Sequence, residues 1–104
     1  MEENLAQEYL RELHVVRQVS KHTIDAYEND LKLLFQKLEE SSTALTKLSS
    51  DQVRGWVGRL HAQGRSPRSI ARTLSAWRGF YLWLANQKKL IAHNPLDDIK
   101  EPKR

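Results

Sequence analysis

Between Gln52 and Leu96 the chain has no Asp or Glu, and it has no cysteine anywhere. Without thiols there can be neither disulfides nor thiolate chemistry, a usage that fits a reducing cytoplasm. Four scattered glycines form no Gly-rich phosphate loop. No apolar run approaches the ~20 residues of a membrane span, and the polar, acidic start MEENLAQEYL lacks the character of a signal peptide. Period-two alternation is almost missing, which argues against strands. No internal repeat or low-complexity tract is evident.

The acid-free stretch does hold eight bases: Arg54, Arg59, Arg65, Arg68, Arg72, Arg78, Lys88 and Lys89. The formal charge of +4 conceals this asymmetry. Residues 1–40 carry nine acids and five bases, whereas residues 41–104 carry four acids and twelve bases. Such a half projects a positive field toward polyanions, nucleic acid first among them. A pI near 9.6 points the same way. Charge alone is equally compatible with an Arg-rich solvated face. A length of 104 residues, 39% hydrophobic and 29% charged, suits one globular domain.

Apolar spacing predicts four helices. Leu5, Tyr9, Leu13 and Val16 share one side of a first helix over residues 3–16. Ser20 is the N-cap of a second, reaching about Leu38, whose inner stripe is Ile24, Tyr27, Leu31, Leu34, Phe35 and Leu38. After a polar connection, Ser49 or Ser50 caps a third helix, buried through Val53, Trp56, Val57 and Leu60. Gly55 and Gly58 weaken it by about 1 kcal/mol each; close approach of another backbone, or chance, accounts for them. Gly64 ends this helix in a left-handed conformation. Ser66-Pro67 opens the fourth, a cap followed by proline at the first helical position, and it runs to about Asn86. Its core stripe is Ile70, Leu74, Trp77, Tyr81 and Leu84. Leu90, Ile91 and Leu96 then tuck in around Asn94-Pro95. The domain is expected to span residues 1–96, with 97–104 (DDIKEPKR) the start of an exposed linker to a further domain.

At 100° per residue, Arg68, Arg72, Ser75 and Gly79 lie within about 60° of one another, opposite the core stripe. Ser69 flanks them. Small residues let a helix sink into a groove about 12 Å wide, and arginine offers a planar fork to phosphates or guanine edges. A solvated face usually interleaves Glu with Arg; this one does not. The first turn, with free N–H groups at Arg68 and Ser69, is expected to attract phosphate. Lys21, His22 and Thr23 open the second helix with further donors, closely followed by Asp25, Glu28 and Asp30. His14, His22, His61 and His93 have no metal-ligand spacing. Glu39-Glu40 and Asp97-Asp98 read as solvated acids. Trp56, Trp77 and Trp83 read as core or bundle-edge residues.

The order of these segments resembles the N-terminal core-binding (SAM-like) domain of tyrosine site-specific recombinases, of the Xer type and most closely its XerC branch. The telling parts are Ser20, Thr23, Tyr27, Asp30 and Leu31, then the run from Ser66 to Tyr81 (SPRSIARTLSAWRGFY), then Asn94-Pro95 and Pro102-Lys103. The resemblance covers nearly the whole chain. It implies an all-α fold, a four-helix orthogonal bundle, that clamps double-stranded DNA together with a separate catalytic domain. The second and fourth helices would face the major groove, and the first would pack on a neighbouring protomer of a tetramer. By position, Lys21, His22, Thr23, Ser66, Arg68, Ser69, Arg72 and Ser75 form the DNA-facing set. Many relatives are basic where this chain has Asp25, Glu28 and Asn29, which shifts the electrostatic burden to the fourth helix.

The resemblance further implies a cytoplasmic bacterial protein that resolves chromosome dimers by strand exchange. It would cut through a 3′-phosphotyrosyl linkage, with no metal or other cofactor. The catalytic residues would lie outside this chain; Tyr9, Tyr27 and Tyr81 sit at helix-core spacing and are not nucleophile candidates. The isolated domain would bind DNA as a monomer without cleaving it. The competing reading is a helical protein–protein module that uses the acidic first two helices.

Overall fold

The computed structural model describes residues 2–100. It is all-α: α1 (Glu2–Val15), α2 (Lys21–Glu40), a 3-10 turn (Leu45–Lys47), α3 (Ser50–Ala62) and α4 (Pro67–Asn86), with no strand among the described residues. No helix there is long and apolar enough to cross a membrane. The chain divides into two compact units, one ending at Leu45 and the other beginning at Thr46.

In the first unit α1 packs on α2. Ala6, Tyr9, Leu10 and Leu13 are the buried face of α1; Leu31, Leu34 and Leu38 are that of α2. Burying each leucine is worth about 1.5–3 kcal/mol, enough to hold an acidic pair of helices whose outer faces gain little. The Glu2 carboxylate accepts from the Leu45 amide at 3.3 Å, tying the start of α1 to the end of the unit.

In the second unit α3 packs on α4. Val53, Trp56 and Leu60 of α3 are buried, as are Ile70, Leu74, Trp77, Phe80, Tyr81, Trp83 and Leu84 of α4. Trp56 meets Trp77 edge to face, with ring centroids 6.0 Å apart. Phe80 stacks on Trp83 at 6.1 Å. All three tryptophans are therefore core residues, and Trp83 also lies 5.3 Å from the Lys88 ammonium.

The N-termini form as expected. Ser20, Ser49 and Ser66 accept from the amides of Thr23, Gln52 and Ser69 at 3.2, 3.2 and 3.1 Å. Ser49 rather than Ser50 caps α3 because Gln52 returns a hydrogen bond to the Ser49 amide at 3.1 Å, completing a capping box. The C-termini are less regular in sequence than in shape. Gln18, Ser42 and Lys89 adopt φ of 56°, 51° and 56°, as Gly64 does at 90°. The residue after each bonds back across its turn: Val19 to Leu13, Thr43 to Leu38, Arg65 to Leu60 and Leu90 to Leu84, at 2.9–3.1 Å.

Two residues do not sit where the sequence put them. Val16 and Leu90, assigned to the core, are exposed: Val16 lies beyond the end of α1, where a 100° step no longer applies, and Leu90 lies in the connection after α4. Gly55 and Gly58 face no close neighbour: a Cβ on Gly58 would meet nothing within 4 Å, and one on Gly55 only the Arg59 guanidinium at 3.9 Å. Packing also continues past Leu96, since Ile99 is buried. Residues 101–104, the rest of the expected linker, lie outside the described residues.

Candidate nucleic-acid interface

Helix α4 displays Arg68 and Arg72 because the residues around them are taken by the core. Ile70, Ala71, Thr73, Leu74, Ala76 and Trp77 are consumed by the core, which forces Arg68, Arg72 and Ser75 outward at i, i+4 and i+7. All three are exposed; Ser69 and Gly79 beside them are half-buried. Arg68 to Ser75 covers about 10 Å of helix at 1.5 Å per residue. The helix itself has no carboxylate.

Its first turn differs from the expectation in one respect. The Ser69 amide is not free: it donates to the Ser66 hydroxyl at 3.1 Å, and the Ile70 amide donates to the Ser66 carbonyl at 3.0 Å. Pro67 has no N–H, so the Arg68 amide is the donor that the first turn leaves for an anion. Ser66 is exposed and serves as the cap, its hydroxyl oxygen accepting from the Ser69 amide.

The start of α2 repeats this backbone. Ser20 has φ −61° and ψ 149°, against −68° and 151° at Ser66. Lys21 and His22 are exposed and Thr23 is half-buried, its hydroxyl 3.1 Å from that of Ser20. The charge of Lys21 is engaged, however, by Asp25 one turn later at 3.2 Å. Both side chains are solvent-exposed, 80% and 59%, so the pair is weak. Within the first unit a groove of about 250 Å³ lies between α1 and α2, lined among others by Arg11, His14, Lys21, Asp25 and Glu28. Nothing in the one-dimensional pattern announced it, since it arises from the spacing of two helices.

Not all eight bases contribute equally. Arg54 bonds Asp51 at 2.8 Å, Lys88 sits over Trp83, and Arg78 is half-buried with its guanidinium turned onto backbone carbonyls of Leu96 and Ile99. Arg78 lies about 80° from Arg68 and about 120° from Arg72 at 100° per residue, the one sequence signal that separates it from them. The tyrosines are structural. Burial pushes the Tyr9 phenol up to about 12, with Arg17 opposing. Tyr81 is buried and Tyr27 half-buried. A nucleophilic phenol needs the reverse, access and a lowered pKa.

The family model for the phage integrase N-terminal SAM-like domain matches residues 6–88. Over 98 residues the chain is 42% identical to tyrosine recombinase XerC of Ralstonia pickettii (strain 12J), an alignment covering 91% of this chain and 30% of that protein. It is 42% identical over 96 residues to tyrosine recombinase XerC of Pseudomonas fluorescens (strain Pf0-1), covering 91% and 32%. The corresponding protein of Azotobacter vinelandii (strain DJ / ATCC BAA-1303) is 41% identical over 96 residues. The chain thus spans about a third of the length of the curated relatives it matches. No solved structure is significantly similar.

Proposed function

This chain belongs to the phage integrase N-terminal SAM-like domain family, and from that premise we propose that it binds duplex DNA at a recombination half-site for a XerC-like tyrosine recombinase. The supporting observation is the outer face of α4, where Arg68, Arg72 and Ser75 stand exposed on a helix without a carboxylate. Arg68 and Arg72 are the base-reading candidates, each worth about 1–3 kcal/mol of discrimination if bidentate to guanine. Ser66, Ser69 and Thr23, with Lys21 and His22, hold phosphates and set register.

In the whole protein this domain would clamp DNA together with a catalytic domain, beside neighbouring recombinase protomers, during strand exchange that resolves chromosome dimers in the bacterial cytoplasm. The chain alone binds DNA without cutting it, because the breaking and rejoining groups belong to the catalytic part. Three to five phosphate contacts imply an affinity on the order of 10⁻⁴–10⁻⁶ M.

Titration of the chain with a Xer-type half-site duplex tests this. Binding should weaken roughly 50- to 500-fold between about 50 and 200 mM salt. The amide shifts should move first at Arg68, Ser69, Arg72 and Ser75. Absence of salt-dependent DNA binding, with amide shifts on α1 and α2 appearing only when a protein partner is added, would favour the acidic-helix adaptor reading instead.

A further inference from the structure

Arg78 is the arginine of α4 that the DNA reading does not use. Its Nη2 donates to the Ile99 carbonyl at 3.1 Å and its Nε points at the Leu96 carbonyl at 3.4 Å. The contact is reciprocal. The Asn94 side-chain amide donates to the carbonyl of Arg78 itself at 3.1 Å, while its Oδ1 accepts from the Leu96 amide at 2.9 Å. Two backbone bonds, Asp97 to the Asn94 carbonyl and Ile99 to the Leu96 carbonyl, both 3.1 Å, wind the segment into consecutive turns. Asn94, Leu96 and Ile99 are all buried.

A guanidinium is suited to this task and an ammonium is not. The planar fork presents two donors in fixed directions, matched here to two carbonyls three residues apart. The half-buried charge makes these bonds stronger than neutral ones. Asn94 is the complementary part, a donor toward the helix and an acceptor toward the segment.

We infer that Arg78 and Asn94 form a latch that makes residues 94–99 one rigid piece with α4, so that Arg78 is a positioning residue fixing the direction in which the chain leaves the helix. This rests on the reading of α4 as the DNA-facing helix for its functional meaning: whatever follows Ile99 is oriented by the helix that holds the duplex. The relatives are about three times as long as the match, so more chain follows a domain of this kind, and a loose joint there would let it drift relative to the bound site.

Amide hydrogen exchange on the 104-residue chain, read without DNA, tests the latch. Arg78→Lys keeps the charge and loses the fork. It should speed exchange at Leu96, Asp97 and Ile99 on the order of 10-fold or more, with the amides of Leu74 to Phe80 and the duplex Kd changed less than twofold. Asn94→Asp, which retains the acceptor and loses the donor, should loosen the same three amides and serves if the Arg78 variant does not fold. Unchanged protection at 96–99 in a folded variant overturns the inference. So does parallel loss along α4, which would make Arg78 a brace of the core. Because exchange is measured on the free chain, failure of wild-type DNA binding would sink the DNA reading and leave this result standing.

Discussion

Helices α2 and α4 are each 20 residues long, each capped by a serine with almost the same backbone angles, and each opened by a residue carrying a cation near the cap. They diverge one turn later. In α2, Asp25 returns to Lys21, and Glu28 and Asp30 follow; in α4 the equivalent turns hold Arg72 and Ser75 and no acid at all. Both helix starts offer anion-attracting dipoles of similar strength. What separates them is the side chains behind the cap, acidic in α2 and basic or small in α4. The lesson is that a shared N-terminal geometry licenses phosphate contact at both helices, whereas base reading is expected from α4 alone.

Removing α4's advantage should give the largest effect. Arg72→Ala is expected to weaken half-site binding roughly 5- to 150-fold and to relax preference at one base position. Lys21→Ala should weaken every duplex alike, by less, and flatten the salt slope by about one contact. Anisotropy titrations on a half-site and a scrambled duplex distinguish the two patterns. Equal, sequence-independent losses would erase the division of labour between α2 and α4.

The first unit carries a group that responds to alkali. The Tyr9 phenol of the first unit ionises near 12 in the folded chain and near its ordinary 10 when unfolded. The unfolded state therefore loses its proton first. Stability is intact below pH 10 and declines as pH rises from 10 toward 12, by on the order of 1–2 kcal/mol. Urea midpoints at about pH 9 and about pH 11.5 should show the decline, and Tyr9→Phe should abolish this share of it. A Phe variant with the same pH dependence would relocate the cause.

Helix starts and the core stripes of α2 and α4 were legible in the sequence because each rests on local chemistry: a serine oxygen for an orphan amide, or a repeat near 3.6. Helix ends were not. Only Gly64 advertised its left-handed turn, whereas Gln18, Ser42 and Lys89 adopt the same turn with ordinary side chains, closed by short-range backbone bonds that no residue type announces. Val16 was misplaced for that reason. At the candidate site, periodicity correctly put Arg68, Arg72 and Ser75 outside. It missed that Ser66 takes the Ser69 amide, a choice made by the serine rotamer, and that Arg78 is occupied by a segment 18–21 residues away.

The glycines of α3 ask whether its outer face, like that of α4, is kept small for a ligand. Because Gly58 looks onto open space, Gly58→Ala should raise stability by about 1 kcal/mol with DNA affinity unchanged. Thermal unfolding and a duplex titration of the same sample check both halves. Stabilisation accompanied by weaker binding would extend the DNA-facing surface to α3.

The smallest expected effect bears most directly on the contrast between the two long helices. Asp25→Asn removes the partner of Lys21 without altering side-chain size. An exposed i,i+4 pair contributes only about 0.3–0.5 kcal/mol, so unfolding should barely register the change. Binding should, because the variant both frees a cation at the cap and deletes a carboxylate beside it. A gain of about two- to fivefold at low salt, vanishing as salt screens the added charge, is expected for all duplex sequences alike. A gain restricted to one sequence would mean that α2 reads bases after all. No gain at low salt would mean that the α2 cap does not approach the phosphates, and would leave α4 as the single contact helix.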